Sequence, residues 1–164
     1  MPIRSPMPLD SASAAMHLSK FTDYAIRSCL YLAVRPTVLT PIGEIARAHQ
    51  IPMSSVMKVV NQLVEGGILS STRGRSGGVE LARPAAEISL GQIVRLMEKD
   101  EPMVDCATCR IGGACGVVHG LAVARAAFYA SLDGVSLEQG LRAHPRTAPI
   151  LLAQAERVER GETE

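Results

Sequence analysis

The sequence predicts a mainly α-helical fold, in which a winged helix-turn-helix domain with a small β-hairpin wing precedes a long dimerisation helix. Two short helical patterns, at residues 42–50 and 53–67, are separated by a tight turn, as in a helix-turn-helix motif. An alternating stretch with a glycine- and arginine-rich centre follows at residues 68–83 and predicts a hairpin. Of the 164 residues, 47% are hydrophobic but only 3% aromatic. The core is therefore built mainly from Ala, Leu, Ile and Val, a mixture that favours helices over a large antiparallel sandwich.

Composition and charge narrow the class of protein. With 20% charged residues and no apolar run long enough for a membrane span, the chain is expected to be soluble, globular and not associated with a membrane. Residues 16–83 contain eight Lys or Arg against four Asp or Glu, whereas residues 84–164 contain eight against eleven. A basic front half and an acidic rear half indicate an anionic partner for the front half, most commonly nucleic acid.

The first elements follow from pattern and capping residues. Residues 1–15 are rich in Pro, Ser and Ala and are expected to form a disordered tail. Patterned sequence begins only at Met16, a candidate initiator. An amphipathic helix is predicted over residues 19–34, with Cys29 on its apolar face as a core residue and Pro36 as its stop. Thr40 and Pro41 predict the start of the second helix through a hydroxyl cap.

Residues 16–83 therefore form the predicted winged helix-turn-helix, and four further segments are expected in the chain. Residues 84–116 hold a linker helix, opened by a capping box from Ser89 to Gln92, and a cysteine loop. Residues 117–141 hold the long dimerisation helix and a following short helix. Nothing in the chain itself is available to cover the long helix, so a homodimer would bury it. Residues 142–164 are expected to be a C-terminal tail.

Five residues are candidates for contact with double-stranded DNA. Ser54, Ser55 and Lys58 lie in the first turns of the second helix of the motif, the part that faces bases in a major groove. Arg73 and Arg75 lie among glycines at the wing tip, where an arginine can enter a narrow minor groove. Alternatively, the serines only cap a helix and the arginines lie in a solvated turn.

Three cysteines, Cys106, Cys109 and Cys115, lie within ten residues. The N-terminal segment lacks the apolar stretch of a secretory signal. A cytoplasmic, reducing location is therefore expected, where clustered thiols indicate metal or redox ligands before disulfides. Zinc and iron–sulfur clusters both use thiolates. His119 lies close by as a possible fourth ligand or as an ordinary helix histidine.

The stretches HLSKFTDYAIR, KVVNQLVEGGIL and RGRSGGVELA, together with the cysteine loop, resemble the NsrR-like nitric-oxide-sensing repressors. These belong to the superfamily of winged-helix iron–sulfur regulators that also includes IscR. The resemblance covers residues 16–141. It implies a homodimer that binds a palindromic operator and holds a [4Fe–4S] cluster through the three cysteines of one protomer.

The resemblance also implies a fourth ligand at the start of the partner's first helix, where the matching position is Asp23. In the iron–sulfur regulator a histidine three residues after the third cysteine takes this role, but Val118 stands there and His119 is one residue out of register. The matching DNA contacts are Ser54 and Arg73. The C-x2-C spacing is shorter than is usual in the family, which leaves [2Fe–2S] or zinc as alternatives.

The sequence thus predicts a nitric-oxide-sensing repressor, with a zinc-stabilised or differently clustered regulator as the alternative. A small redox protein is a third interpretation. No nucleophile–base motif, P-loop or dinucleotide fingerprint occurs in the sequence, so an enzyme is not expected.

Overall fold

The computed structural model describes residues 17–99, 104–112 and 114–162. These residues form seven α-helices, one short 3-10 helix at Ala85–Glu87 and one antiparallel hairpin. In chain order the elements are α1 (Lys20–Ala33), α2 (Ile42–His49), α3 (Met53–Glu65), β1 (Leu69–Thr72), β2 (Gly78–Leu81), α4 (Leu90–Glu98), α5 (Val117–Asp133), α6 (Leu137–Arg142) and α7 (Thr147–Glu159). The predicted tail at residues 1–15 lies outside the described residues.

Helix α1 has the predicted apolar face and, in addition, a side-chain cap that was not predicted. The hydroxyl of Ser19 accepts a hydrogen bond from the backbone N–H of Thr22 at 3.2 Å, which satisfies one of the unpaired donors at the helix start. Ala25, Cys29 and Leu32 are buried. Burial raises the pKa of the Cys29 thiol to about 12, so this thiol stays protonated and serves as a small apolar group. The prediction of a core cysteine is confirmed.

The start of α2 differs from the prediction. Thr40 does not cap the helix: its hydroxyl donates to the carbonyl of Val38, and Pro41 occupies the cap position without a side-chain hydrogen bond. The backbone of Thr40 pairs instead with Val79 of β2, through N–H···O distances of 3.0 and 2.8 Å. This pairing keeps the backbone of Thr40 extended and adds one residue pair to the hairpin of the wing. It also joins the wing to the start of α2.

Helix α3 and the wing follow the predicted pattern. Val56, Val59, Val60 and Leu63 are buried as one stripe of α3. Gly67 follows the helix with φ +68°, a left-handed conformation that glycine adopts without steric cost. The strands then pair in antiparallel register from Leu69 opposite Leu81 to Thr72 opposite Gly78.

Helices α4 and α6 begin side by side. Ser89 and Gln92 form the predicted capping box of α4, and Ser136 and Gln139 form an equivalent box at α6. The backbones of Ser89 and Ser136 also form an isolated antiparallel bridge. Backbone hydrogen bonds therefore fix the two helix starts to each other, from the Leu90 N–H to the Val135 carbonyl and from the Leu137 N–H to the Ile88 carbonyl.

Helix α5 is attached to the rest of the chain mainly through its last turns. Arg95 of α4 donates to both carboxylate oxygens of Asp133 at 2.6 Å each, and its guanidinium lies 4.5 Å from the ring centre of Tyr129. Tyr129 is the single buried residue of this helix, all of which is described. Val117, Val118 and Ala124, at the N-terminal end of the face that was expected to be apolar, are exposed, whereas three further residues of that face are half-buried: Leu121, Phe128 and Leu132.

The prediction of a C-terminal tail at residues 142–164 is wrong for most of these residues. Residues Thr147–Glu159 form α7, whose Leu151 and Ala155 are buried. This helix packs against α1, α2 and α6. Seven of its thirteen residues are Ala, Ile, Leu or Val, but only Leu151 and Ala155 are buried, so the position of the helix depends on tertiary packing more than on an obvious local pattern.

A buried polar cluster joins α1, α2 and α7. Arg35, just after α1, forms an ion pair with Glu44 of α2, and their side chains are only 13% and 11% exposed. The hydroxyl of Tyr31 donates to Glu44 at 2.9 Å, and this bond together with burial raises the Tyr31 pKa. The second amino group of Arg35 donates to Glu159 of α7 at 2.6 Å. The charges in this position are tolerated because the guanidinium and the Glu44 carboxylate are paired with each other.

We expect Glu44→Ala to lower the free energy of unfolding by about 3 kcal/mol, because it leaves the buried Arg35 guanidinium without its main partner. Glu156→Ala removes a carboxylate from an exposed pair with Arg160 and should cost less than about 0.5 kcal/mol. Urea denaturation of both variants measures the difference. Equal destabilisation would contradict a special role for the buried pair.

Candidate DNA-binding surface and cysteine loop

The predicted DNA-contacting serines are positioned by the tight turn before α3. Pro52 is the N-cap residue and provides no side-chain hydrogen bond, and neither serine hydroxyl caps the helix. Ser54 is exposed and Ser55 is half-buried. The interpretation of both serines as capping residues is therefore wrong, and the Ser54 hydroxyl faces solvent.

Lys58 lies one turn further along the same helix and is exposed. Its ammonium group lies 4.6 Å from the ring centre of Phe21 in α1. This cation–π contact restrains a flexible side chain. The Lys58 ammonium group therefore lies beside the contact between α1 and α3.

The exposed face of α3 includes residues that the sequence analysis did not select. Met53 and Met57 are each 47% exposed, and Asn61 is exposed on the next turn. The sequence signal that could have identified these residues is their spacing of four, which puts them on one helix face. They were missed because the selection favoured hydroxyl and cationic side chains.

Both wing arginines are exposed at the tip between β1 and β2. Gly74, between Arg73 and Arg75, has φ +119°, a conformation that favours glycine. A Cβ on Gly77 would lie only 2.3 Å from the carbonyl oxygen of Thr72. These glycines allow the tight tip that presents the two guanidinium groups.

A groove of about 570 Å³ separates α3, the recognition helix of the motif, from the wing. Met53 and Asn61 line it on the helix side, and Arg73 lines it on the wing side. The structure thus brings α3 and the wing tip to opposite walls of one groove. Such an arrangement can present polar and cationic groups to a duplex from two directions.

Asp23 lies in the first turn of α1 and forms an ion pair with Arg27. The guanidinium donates to the two carboxylate oxygens at 3.0 and 2.8 Å, and both side chains are about half exposed. The start of this helix is also held by Glu98, the last residue of α4. Glu98 accepts hydrogen bonds from the Ser19 backbone N–H at 2.8 Å and from the Thr22 hydroxyl.

The cysteine loop follows α4 and precedes α5. Cys109 is exposed, Cys106 and Cys115 are half-buried, and all three are free thiols. The backbone N–H of Cys109 donates to the carbonyl of Cys106 at 3.3 Å, and that of Gly112 donates to the carbonyl of Cys109 at 3.0 Å. The part of the loop from Cys106 to Gly112 therefore consists of tight turns.

The predicted ligands are not gathered into a metal-binding group within one chain. Among residues 17–99, 104–112 and 114–162, no group of three or more His, Cys, Asp or Glu side chains lies close enough together to hold a metal ion. His119 is exposed on the first turn of α5. The donor set itself suits soft metal centres, because three unpaired thiols lie on one accessible, glycine-containing loop.

Within the same described ranges, no helix has the length and apolar character needed to cross a membrane.

Comparison with protein families gives one match over most of the chain. Residues 18–142 match the family model Rrf2, described as an iron-dependent transcriptional regulator. Protein aau3 of Rhizobium meliloti (strain 1021) is 35% identical over 136 residues, which cover 80% of this chain and 88% of that protein. The HTH-type transcriptional regulator NsrR of Oceanobacillus iheyensis is also 35% identical, over 129 residues that cover 75% of this chain and 88% of that protein.

Solved structures share the fold at lower identity. CymR (YrzC), the global cysteine regulator of B. subtilis, superimposes with a TM-score of 0.66 at 22% identity, covering 79% of this chain and 99% of that chain. IscR of T. potens gives a TM-score of 0.63 at 20% identity, with coverages of 78% and 88%. The predicted winged-helix fold is confirmed.

Members of the matched family are transcriptional regulators and not enzymes, in agreement with the prediction from the sequence. The resemblance to NsrR-like regulators is also confirmed. The chain therefore belongs to the Rrf2 family of winged-helix, DNA-binding transcriptional regulators.

Proposed function

We propose that the protein is a homodimeric repressor whose affinity for a palindromic operator is controlled by nitric oxide through an iron–sulfur cluster. The cysteine loop carries the proposal: three unpaired thiols lie between α4 and α5, and the last residue of α4 holds the start of α1. The match to an iron-dependent family and the NsrR relative support it.

In this proposal Cys106, Cys109 and Cys115 hold the cluster together with Asp23 of the partner subunit. A [4Fe–4S] cluster supplies iron atoms that react with nitric oxide. A carboxylate is a harder and more weakly held ligand than a thiolate at such a centre, so the aspartate is the ligand most readily released. The same Asp23 pairs with Arg27 in the described chain, and this ion pair is available to the carboxylate whenever it is not a ligand.

Release of Asp23 from the cluster would allow the start of α1 to move, and this movement would affect the DNA-binding surface. Helix α1 packs against α3, and Phe21 of α1 contacts Lys58 of α3. A shift of α1 therefore alters the position of the recognition helix. In a dimer this changes the separation of two recognition helices that must match half-sites about one DNA turn apart.

We expect Asp23→Ala to retain iron, sulfide and the visible absorption of protein purified without oxygen, but to lose the nitric-oxide response of operator binding. The three thiols remain in this variant, whereas the link to the partner's α1 is removed. Absorption spectra and operator titrations with and without nitric oxide measure the two properties. Glu138→Ala removes an exposed carboxylate from α6 and serves as the control.

Two results would count against the proposal. An unchanged operator affinity and nitric-oxide response in Asp23→Ala would exclude the aspartate as the coupling ligand. A colourless wild-type protein with stoichiometric zinc would favour the second candidate, a zinc-stabilised regulator. The short C-x2-C spacing is the observation that favours this alternative.

We infer that Ser54, Ser55, Lys58, Arg73 and Arg75 contact the operator. The expected effect of Arg73→Ala is weaker binding to the operator and to unrelated duplexes alike, with the slope of log affinity against log salt reduced by about 1. Arg142→Ala, in the exposed i,i+4 pair with Glu138 on α6, should leave the slope unchanged. Fluorescence anisotropy at several salt concentrations measures it, and an unchanged slope in Arg73→Ala would place this arginine outside the interface.

We infer further that α5 forms the dimer interface, because its exposed apolar side chains have no cover in the single chain. Val123 of α5 is 54% exposed. Val123→Glu should raise the dimer dissociation constant at least ~10-fold, since it places a carboxylate in an apolar contact. Leu152→Glu, on the exposed side of α7, is the control. Sedimentation analysis of both variants decides, and an intact dimer in Val123→Glu would contradict the assignment.

A further inference from the structure

Two methionines form a small apolar surface on the outer face of α3. Met53 and Met57 are each 47% exposed, and neither belongs to the buried stripe by which α3 packs into the core. A single exposed apolar side chain is ordinary on a protein surface. Here two large apolar side chains lie one helical turn apart on the same face, so they offer a continuous apolar contact to a partner.

The neighbouring elements set the position of Met53. A Cβ built on Gly43 of α2 would lie 3.9 Å from the terminal methyl group of Met53, so this side chain lies against α2. Met53 also lines the groove between α3 and the wing, which Arg73 lines from the opposite side. Met57 follows one turn later, three residues after the exposed Ser54. The apolar surface is therefore part of the candidate DNA-binding surface.

The surrounding charges indicate which kind of partner this surface fits. Lys58 of α3 and the wing residues Arg73 and Arg75 are exposed around it, and the first turn of α3 contains no acidic residue. The apolar core of a protein–protein interface is usually depleted of charged residues, unlike this surface. Apolar side chains among cations instead suit a polyanion that carries isolated apolar groups. In the major groove of DNA that group is the C5-methyl of thymine.

We propose that Met57, together with Met53, contacts the C5-methyl groups of thymines in each half-site of the operator and so contributes to sequence specificity. The unbranched, polarisable methionine side chain adapts readily to such a contact. Side chains one helical turn apart have Cβ atoms about 6 Å apart, and successive base pairs are about 3.4 Å apart. The two methionines therefore suit thymines separated by about one or two base steps.

Replacement of thymidine by deoxyuridine tests the contact directly, because it removes the methyl group and leaves base pairing unchanged. The operator is first selected from a random duplex library with protein purified without oxygen. Each thymine of a half-site is then replaced in turn, and the affinity is measured by fluorescence anisotropy. Loss of a contacted methyl should weaken binding about 4-fold, as expected for burial of one such group. Replacement in both half-sites should weaken binding about 15-fold.

Two variants assign the methyl effect to these side chains. Met57→Ala should bind the thymine operator more weakly than the wild type, and at one position it should no longer distinguish thymine from uracil. Met53→Ala should lose this distinction at a neighbouring thymine. The double-mutant comparison of protein and DNA isolates the contact itself. Ile150→Ala, at an α7 position that is also 47% exposed, is the matched control and should keep the full methyl effect. Melting curves establish that each variant is folded.

The proposal rests on α3 as the helix that enters the major groove, and not on the response to nitric oxide. An operator whose affinity is unchanged by every thymine replacement would overturn it and leave operator binding intact. A methyl effect that persists in full in both Met53→Ala and Met57→Ala would overturn it as well, because other residues would then make the contact. Failure to select any preferred duplex would overturn the proposed operator binding together with this inference.

Discussion

The buried ion pair between Arg35 and Glu44 determines how the helix-turn-helix is held in the molecule. Glu44 lies on α2, and Arg35 ends the α1 segment and reaches Glu159 of α7. Separating these groups in the interior would leave a charge without compensation, which costs more than most single contacts contribute. Helices α1, α2 and α7 are therefore constrained to move together, and α3 follows because it packs on both α1 and α2.

This constraint matters because two sets of contacts would connect the region of the cysteine loop to α1, one within the chain and one across the proposed dimer. Within the chain, Glu98 at the end of α4 holds the backbone of Ser19 and the hydroxyl of Thr22 at the start of α1. Across the proposed dimer, the loop would reach Asp23 of the partner subunit. A helix that is fixed at one end by a buried ion pair and at the other by exchangeable ligands can pass a local change at its start to the recognition surface.

The parts of the fold that the sequence predicted are those specified locally. The apolar stripes of α1 and α3, the capping boxes at Ser89 and Ser136 and the glycines of the wing each depend on residues close in the chain. Thr40 was assigned wrongly because its backbone pairs with Val79, a contact between residues far apart in sequence. Helix α7 was missed for a similar reason, since its stability depends on burying Leu151 and Ala155 against other helices.

The same distinction between local signals and contacts between distant residues applies to the candidate site. The DNA-facing residues could be selected from helix spacing and turn chemistry, although a preference for polar side chains passed over Met57, which is half exposed on the same face. The proposed metal ligands could be selected by type but not by geometry, because the described part of a single chain does not bring them together. A ligand set that is shared between two protomers leaves no complete pattern in one sequence.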